Sequence, residues 1–144
     1  MPTINPYLNF QGNTEEAFNF YQSIFGGDFI GGISRFKDTP EGDQLPKPEQ
    51  NKVMHIGLPF GNSNMIMATD ALESMNQKVN QGNNVYLCIS ADSRQQADKF
   101  FNGLSVSGEI EMEMQDMFWG DYFGMLTDKF GIKWMVSFDK NQES

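Results

Sequence analysis

The segment Asn5-Pro6-Tyr7-Leu8 recurs as Asn84-Val85-Tyr86-Leu87, about 80 residues further along the chain. A second segment, Ala17-Phe18-Asn19-Phe20-Tyr21, recurs at the same spacing as Ala97-Asp98-Lys99-Phe100-Phe101. Two matches in one register indicate an internal duplication rather than two unrelated similarities. Because 144 residues are the length of one ordinary domain, we expect the two copies to be half-modules of a single domain.

Each copy contains a segment with the pattern of a capped helix. Asn13-Thr14-Glu15-Glu16 and Ser93-Arg94-Gln95-Gln96 fit the capping box, in which the first side chain accepts a bond from an orphan amide and the fourth reaches back. Apolar residues at helical spacing follow each box and predict two amphipathic helices. These residues are Ala17, Phe18, Tyr21, Ile24 and Phe25 in the first copy, and Ala97, Phe100, Phe101 and Leu104 in the second.

Alternating, aromatic and β-branched segments predict the strands. We place them near residues 3–10, 28–36, 53–60, 64–69, 84–91, 108–115, 121–127 and 132–138. Each half is then strand, helix, strand, strand, strand. The single domain, 1–144, is expected to consist of half-modules 1–70 and 84–140 joined by a linker at 71–83. The proline-containing segment 37–52 has no regular pattern, and we expect an exposed, mobile loop there.

Composition limits the classes of partner. The net charge of −9 would repel a nucleic acid backbone, and no apolar run approaches the ~18 residues that span a bilayer, so neither nucleic acid nor a membrane is expected. The single cysteine, Cys88, lies in a predicted strand, and we expect a buried, inert thiol. The chain start lacks the pattern of a signal peptide, which favours a cytoplasmic location.

The strand faces opposite the helices carry a mixture of aromatic, methionine and polar side chains. Such a mixture is typical of a half-buried site for a small molecule. The alternative is that the methionines only fill gaps in the core. The candidate ligand-binding residues are Asn5, Tyr7, Met67, Tyr86, Trp119, Tyr122 and Met135.

His55 is the single histidine and therefore the candidate general base, with Asp121 as the candidate group that orients it. The alternative is a core histidine bonded to a neighbour, with the aromatic segment 118–124 as core packing around a bulge at Gly120. One histidine alone cannot hold a catalytic zinc ion. The run Glu109, Glu111 and Glu113 alternates with apolar residues, so we expect a solvated strand face.

A resemblance to a known family rests on six segments and their order, 5–10, 17–27, 53–56, 66–70, 118–124 and 127–134. These segments resemble the vicinal-oxygen-chelate superfamily of glyoxalases, extradiol dioxygenases and bleomycin-resistance proteins. More narrowly, the chain resembles the PhnB-like branch, often labelled 3-demethylubiquinone methyltransferase-like. The resemblance implies an α+β fold, in which two βαβββ modules form a U-shaped, cup-like mixed sheet with helices on the outer face. It also implies a homodimer.

Metal-binding members of that superfamily place their ligands on the first and fourth strands of each half. The matching positions here are Asn5, Met67, Tyr86 and Met135. None is a His, Glu or Asp, and the thioether of Met suits copper(I) rather than a divalent ion. We therefore expect no metal site, and the chain also lacks a glycine-rich strand-to-helix turn for a methyl-donor cofactor, so we expect no cofactor.

The sequence thus favours a protein that binds a small molecule in an aromatic and Met-lined cup without the usual divalent metal. One alternative is a metal-dependent or His55-assisted lyase, isomerase or dioxygenase-type enzyme. Another is a methyltransferase-like enzyme, as the family label suggests. A third is an interaction protein whose cup closes against a second copy.

Overall fold

The structure is a computed structural model that describes residues 2–142. The chain divides into two compact units, Met1–Asn80 and Gln81–Ser144. In the described residues, each unit contains one four-stranded mixed sheet. The strands therefore pair in two separate sheets, and both have the same strand order.

The sheet of the first unit has the order β1-β4-β3-β2, with β1 parallel to β4 and the other pairs antiparallel. Short 3-10 turns lie between β2 and α2, at Phe36–Asp38 and Gly42–Gln44, and another follows β4 at Glu73–Met75. The elements are β1 (Tyr7–Phe10), α1 (Thr14–Phe25), β2 (Ser34–Arg35), α2 (Lys47–Gln50), β3 (Val53–Phe60) and β4 (Asn64–Asp70).

The second unit repeats this plan with the order β5-β8-β7-β6, and β5 is parallel to β8. A 3-10 turn at Lys140–Gln142 follows the last strand. The predicted order of strand, helix and three strands is confirmed in both units, with the short α2 added in the first. The elements are β5 (Leu87–Ser90), α3 (Arg94–Leu104), β6 (Glu109–Asp116), β7 (Asp121–Thr127) and β8 (Lys133–Asp139).

Each unit buries the apolar stripe of its long helix against its own sheet. The predicted stripes are confirmed, because Phe18 and Tyr21 of α1 and Ala97 and Leu104 of α3 are fully buried. Burying a large apolar side chain contributes roughly 2 kcal/mol, so these stripes fix which face of each sheet the helix covers. The facing strand residues are Ile56, Leu58, Ile66 and Ala68 in the first unit, and Leu126, Trp134 and Val136 in the second.

Three predicted strands are shorter than expected. The first and fifth begin late, because Ile4 and Val85 are exposed and precede the paired residues. Of the predicted strand 28–36, only Ser34–Arg35 pairs as a strand. The chain before it turns at Gly31 and Gly32, whose positive φ angles of 72° and 71° are incompatible with a continuous strand.

The segment 37–52 is mostly exposed, as predicted, but it is not without regular structure. It contains two short turns and α2, and Glu49 within α2 is only 7% exposed. The Glu49 carboxylate accepts hydrogen bonds from the amide and the hydroxyl of Ser74. This buried contact ties the segment to the residues that follow β4.

The capping box predicted at Asn13 is wrong, since the described structure has no side-chain cap there. Asp70 at the end of β4 replaces it, with its Oδ1 accepting from the Thr14 amide at 3.0 Å and the Thr14 hydroxyl at 2.6 Å. In the second unit Ser93 does cap α3, accepting from the Gln96 amide at 3.1 Å. The Gln96 side chain, however, reaches the amide of Asp92 rather than that of Ser93.

At 12 residues, α1 is the longest helix in residues 2–142, and no described helix has the length and hydropathy needed to span a bilayer.

Candidate functional site

The face of the first sheet opposite α1 carries a row of Tyr7, Met67 and Gly57 on three neighbouring strands. Tyr7 of β1 pairs with Met67 of β4, which pairs with Gly57 of β3. Because side chains alternate along a strand, His55, two residues before Gly57, lies on this same face. Three of the predicted site residues, Tyr7, His55 and Met67, are therefore brought together in the first unit.

Tyr7 and His55 form a hydrogen-bonded pair across the sheet. The Tyr7 hydroxyl lies 3.0 Å from His55 Nδ1, and the ring centroids are 5.7 Å apart. Burial raises the pKa of the Tyr7 phenol, so it keeps its proton at neutral pH. When this hydroxyl donates to Nδ1, the imidazole proton lies on Nε2, where it can be donated to a ligand. The pair supplies a donor and an acceptor beside Met67, on a face that also carries Asn9 and Thr69.

Gly57 lets methionine side chains pack close to the backbone in the middle of this face. A Cβ at this position would lie 2.8 Å from the sulfur of Met65 and 3.8 Å from Cγ of Met67. The two thioether side chains therefore lie over the glycine, and both are half-buried. The face combines soft, polarisable sulfur atoms with the Tyr7–His55 pair, and such groups adapt to apolar ligands of irregular shape.

Asn5 has a structural contact instead of an open side chain. Its Oδ1 accepts a hydrogen bond of 2.9 Å from the amide of Met65. The segment before β1 is thereby tied to β4. As a predicted ligand-binding residue, Asn5 still has its amide NH₂ group to offer.

In the second unit, Met135 of β8 lies in a row between Cys88 of β5 and Met125 of β7. This row lies on the face opposite α3, since Trp134 and Val136 on either side of Met135 are buried beneath the helix. The prediction of a buried Cys88 thiol is wrong, because Cys88 is exposed. Its position on the open face rather than the helix face explains the difference.

A polar cluster that we did not predict lies on the same face, around the carboxylate of Glu111. The hydroxyl of Tyr86, immediately before β5, donates to Glu111 Oε1 at 2.6 Å. The hydroxyl of Thr127 and the ammonium of Lys133 both bond to Oε2, at 2.8 and 3.2 Å. Lys133 also donates to the Thr127 hydroxyl at 2.9 Å. We call these four residues the Glu111 cluster.

The hydrogen bonds of the Glu111 cluster determine its protonation. Bonds from Tyr86, then from Thr127, lower the pKa of the Glu111 carboxyl group. The bond to Glu111 is in turn the main cause that raises the pKa of Tyr86 and of Lys133. At neutral pH the cluster therefore contains a carboxylate, a phenol and an ammonium ion.

An irregularity in β6 positions Glu111. Ile110 pairs with Leu126 and Met112 with Met125, so Glu111 is an extra residue between two ladder pairs. Such a bulge breaks strict alternation and re-aims a side chain. As predicted, Glu109, Glu111 and Glu113 are all exposed, but the bulge brings the Glu111 carboxylate to Tyr86, Thr127 and Lys133. The alternation of Glu with apolar residues gave no sign of the bulge.

Tyr122 lies on the helix-facing side of the second sheet, whereas the candidate binding residues were expected on the faces opposite the helices. It pairs with the buried Phe138 and donates a hydrogen bond of 2.5 Å to Asp98 of α3. The guanidinium of Arg94 lies 4.0 Å from the centre of its ring. The bond to Asp98 is the largest cause of the raised pKa of Tyr122.

Trp119 and Asp121 form a local pair at the start of β7. The indole Nε1 of Trp119 donates to Asp121 Oδ2 at 2.8 Å. Trp119 is 50% exposed and its neighbour Phe118 is 97% exposed, so this turn is not core packing. The two candidate catalytic residues therefore each have a hydrogen-bond partner in their own unit: Trp119 for Asp121, and Tyr7 for His55.

In residues 2–142, no three His, Cys, Asp or Glu side chains converge in a way that could hold a metal ion. Met67 and Met135, at two of the four positions matched to metal ligands, lie half-buried in the rows described above.

Known proteins match the chain over almost its full length. A family model described as 3-demethylubiquinone-9 3-methyltransferase matches residues 2–137. The crystal structure of protein PA1353 from Pseudomonas aeruginosa is 33% identical, with a TM-score of 0.83, and the match covers 96% of this chain and 98% of that one.

Two further solved structures extend the comparison. A PhnB protein from Bacillus cereus is 26% identical with a TM-score of 0.74, covering 95% of this chain and 99% of its own. A glyoxalase/bleomycin resistance protein/dioxygenase family enzyme from Burkholderia phytofirmans PsJN is 18% identical, covering 92% and 96% of the two chains. Its TM-score of 0.62 shows a shared fold. The chain therefore belongs to the PhnB-like family described as 3-demethylubiquinone-9 3-methyltransferase, and it has the glyoxalase/bleomycin resistance fold.

Proposed function

We propose that this protein binds a small, neutral and largely apolar molecule that carries a hydroxyl group, on the face of the first sheet opposite α1. The observation that carries the proposal is the Tyr7–His55 hydrogen bond beside Met65 and Met67. The thioethers offer dispersion contacts to an apolar body, and the Tyr7–His55 pair offers a donor and an acceptor to a hydroxyl.

Charge and exposure support a neutral ligand. The chain carries a net charge of −9, which disfavours the approach of an anion. Tyr7 is 46% exposed, so its ring and hydroxyl are accessible on this face. A phenol fits this description, because its ring can contact the sulfur atoms while its hydroxyl bonds to the imidazole or to Tyr7.

Titration with p-cresol, followed by NMR of ¹³C-methyl-labelled methionines, tests the proposal. We expect the Met65 and Met67 signals to shift with p-cresol and to shift less with toluene, which has no hydroxyl. Tyr7→Phe should weaken p-cresol binding by about tenfold, the cost of one hydrogen bond, while Tyr122→Phe on the helix side of the other sheet should not. Unchanged Met65 and Met67 signals at millimolar p-cresol would refute the site.

The absence of a required metal is a separate part of the proposal. Protein purified without chelators should contain no stoichiometric divalent ion by elemental analysis, and EDTA should leave p-cresol binding unchanged. Loss of binding on EDTA treatment, restored by adding a divalent ion, would overturn this part.

The Tyr7–His55 pair also favours a second candidate, acid–base catalysis by His55. Tyr7 fixes the ring orientation, which leaves Nε2 to exchange a proton with a bound hydroxyl. Once a substrate is found, His55→Gln should lower kcat by at least about a hundredfold, the usual contribution of a general base. An unchanged kcat would contradict the catalytic role and leave the binding role standing.

A further inference from the structure

The ammonium group of Lys133 has one weakly engaged hydrogen-bond donor within the Glu111 cluster. A lysine carries three N–H donors; those of Lys133 bond to Glu111 Oε2 and Thr127 Oγ1, and the Tyr86 hydroxyl is a weaker third partner. The Lys133 side chain is 18% exposed. A bound acceptor can therefore take the place of the Tyr86 hydroxyl as the partner of the third N–H.

The other groups of the Glu111 cluster act mainly on Lys133 itself. The Glu111 carboxylate already accepts from Tyr86, Thr127 and Lys133, so it holds the ammonium in place rather than serving as a base. The Tyr86 ring lies 5.3 Å from the ammonium nitrogen and adds a cation–π contact. Because Lys133 stays protonated beside this carboxylate, it is a hydrogen-bond donor and not an amine nucleophile.

The surroundings of Lys133 select the kind of acceptor. Thr127 and Lys133 are partners in the row next to Met125 and Met135, on the same face of the second sheet. The charges of Lys133 and Glu111 cancel, so the cluster offers a directed donor without net positive charge. A neutral carbonyl oxygen suits such a donor better than a carboxylate does, because a carboxylate would also be repelled by Glu111.

We propose that Lys133 donates a hydrogen bond to the carbonyl oxygen of a neutral ketone or aldehyde, whose hydrocarbon part lies on Met125 and Met135. This site is additional to the hydroxyl-binding face of the first unit, and it rests on different residues. Tyr86 and Thr127 position the Glu111–Lys133 pair, and the two methionines supply the apolar surface.

Three probes of similar size separate the contributions. Acetophenone carries the carbonyl group, ethylbenzene lacks it, and benzoate replaces it with a carboxylate. In ¹³C-methyl-methionine spectra, we expect acetophenone to shift the Met125 and Met135 signals at concentrations at least about tenfold below those needed for ethylbenzene or benzoate. A hydrogen bond from a charged donor strengthens binding by about this factor.

Two substitutions test the role of Lys133. Lys133→Met should weaken acetophenone binding by at least about tenfold and leave ethylbenzene binding unchanged. The matched control, Lys129→Met, removes the same charge from the turn between β7 and β8 and should leave both unchanged. Glu111→Gln should strengthen benzoate binding, because the positive charge of Lys133 is then no longer cancelled, and this gain of binding requires a folded site.

The outcomes distinguish this inference from the proposed function. Shifts at Met125 and Met135 report on the Lys133 site, whereas shifts at Met65 and Met67 with p-cresol report on the Tyr7–His55 face. Any of three results would overturn the assignment of Lys133: equal affinity for acetophenone and ethylbenzene, an unchanged acetophenone affinity in Lys133→Met, or no gain of benzoate binding in Glu111→Gln. These results do not depend on whether p-cresol binds to the first unit.

Discussion

Two buried carboxylates, Asp70 and Asp128, each accept hydrogen bonds from several positions in their own unit. Asp128 accepts hydrogen bonds from the amides of Phe130 and Ile132 at 2.8 and 3.0 Å, and from the indole of Trp134 at 2.9 Å. Asp70 bonds to Thr14 and, through Oδ2, to the amide of Val53 at 2.8 Å. Each carboxylate thus satisfies buried donors from segments that would otherwise lack partners.

Asp128→Ala should lower the free energy of unfolding by about 3 kcal/mol, because it leaves several buried donors without an acceptor. Urea denaturation followed by tryptophan fluorescence measures this loss, since Trp134 is one of those donors. Glu109→Ala, a change at an exposed carboxylate, is the control and should cost less than about 0.5 kcal/mol. Equal effects of the two substitutions would contradict the structural role of Asp128.

The lowered pKa of Glu111 makes stability depend on pH. Because the folded-state pKa lies below the ordinary glutamate value of about 4.3, the stabilisation is fully present above that value and is lost as pH falls through the folded pKa. Between pH 7 and pH 3, the wild type should therefore lose more stability than Glu111→Gln. Urea midpoints at the two pH values provide the measurement, and a smaller loss in the wild type would have the wrong sign.

The two long helices are capped in different ways, although their sequence patterns are alike. Ser93→Ala should cost about 1 kcal/mol, because the Ser93 side chain accepts the bond from the Gln96 amide. Asn13→Ala should cost less than about 0.5 kcal/mol, since Asp70 bonds to the first turn of α1 instead. Thermal or urea unfolding of both variants tests the contrast, and equal losses would argue against it.

Gly124 of β7 packs closely against side chains of α3 and β6. A Cβ at this position would lie 2.6 Å from the sulfur of Met114 and 2.8 Å from the ring of Phe101. Gly124→Ala should therefore destabilise the protein by about 1–3 kcal/mol through overpacking. Gly82→Ala is a suitable control, because the nearest atom to its Cβ would be Asn84 Oδ1 at 3.7 Å, an ordinary contact. A neutral Gly124→Ala would show that this packing is looser than described.

Elements with strong local patterns were predictable from the sequence. The helix stripes and the bounds of β3 and β7 agree with the prediction, since period and turn residues specify them locally. The roles of Asp70 and Glu111 were not predictable from the sequence. Asp70 caps a helix distant in sequence, and Glu111 depends on a bulge that alternation does not reveal. Tyr122 lies on the helix side although it was a candidate binding residue, because alternation along β7 places it with Gly124 and Leu126, which are buried beneath α3.

At the scale of the whole molecule, the homodimer that the resemblance implies stays a prediction. Phe118 and Trp119 expose large aromatic side chains, and exposed apolar groups of this size mark contact surfaces when they lie together. Light scattering at micromolar concentration should give a mass about twice the 16.3 kDa of one chain. A mass of one chain across this range would contradict the dimer.

The methionines on the open faces also make the protein chemically sensitive. Met65, Met67, Met125 and Met135 are half-buried, and peroxide can add an oxygen atom to a thioether that it can reach. The sulfoxide that forms is polar and chiral, so oxidation would make the methionine surfaces of both sheets polar without altering the core beneath the helices. If the proposed ligand binding is correct, oxidants should weaken it while the fold persists, and methionine sulfoxide reductases should restore it.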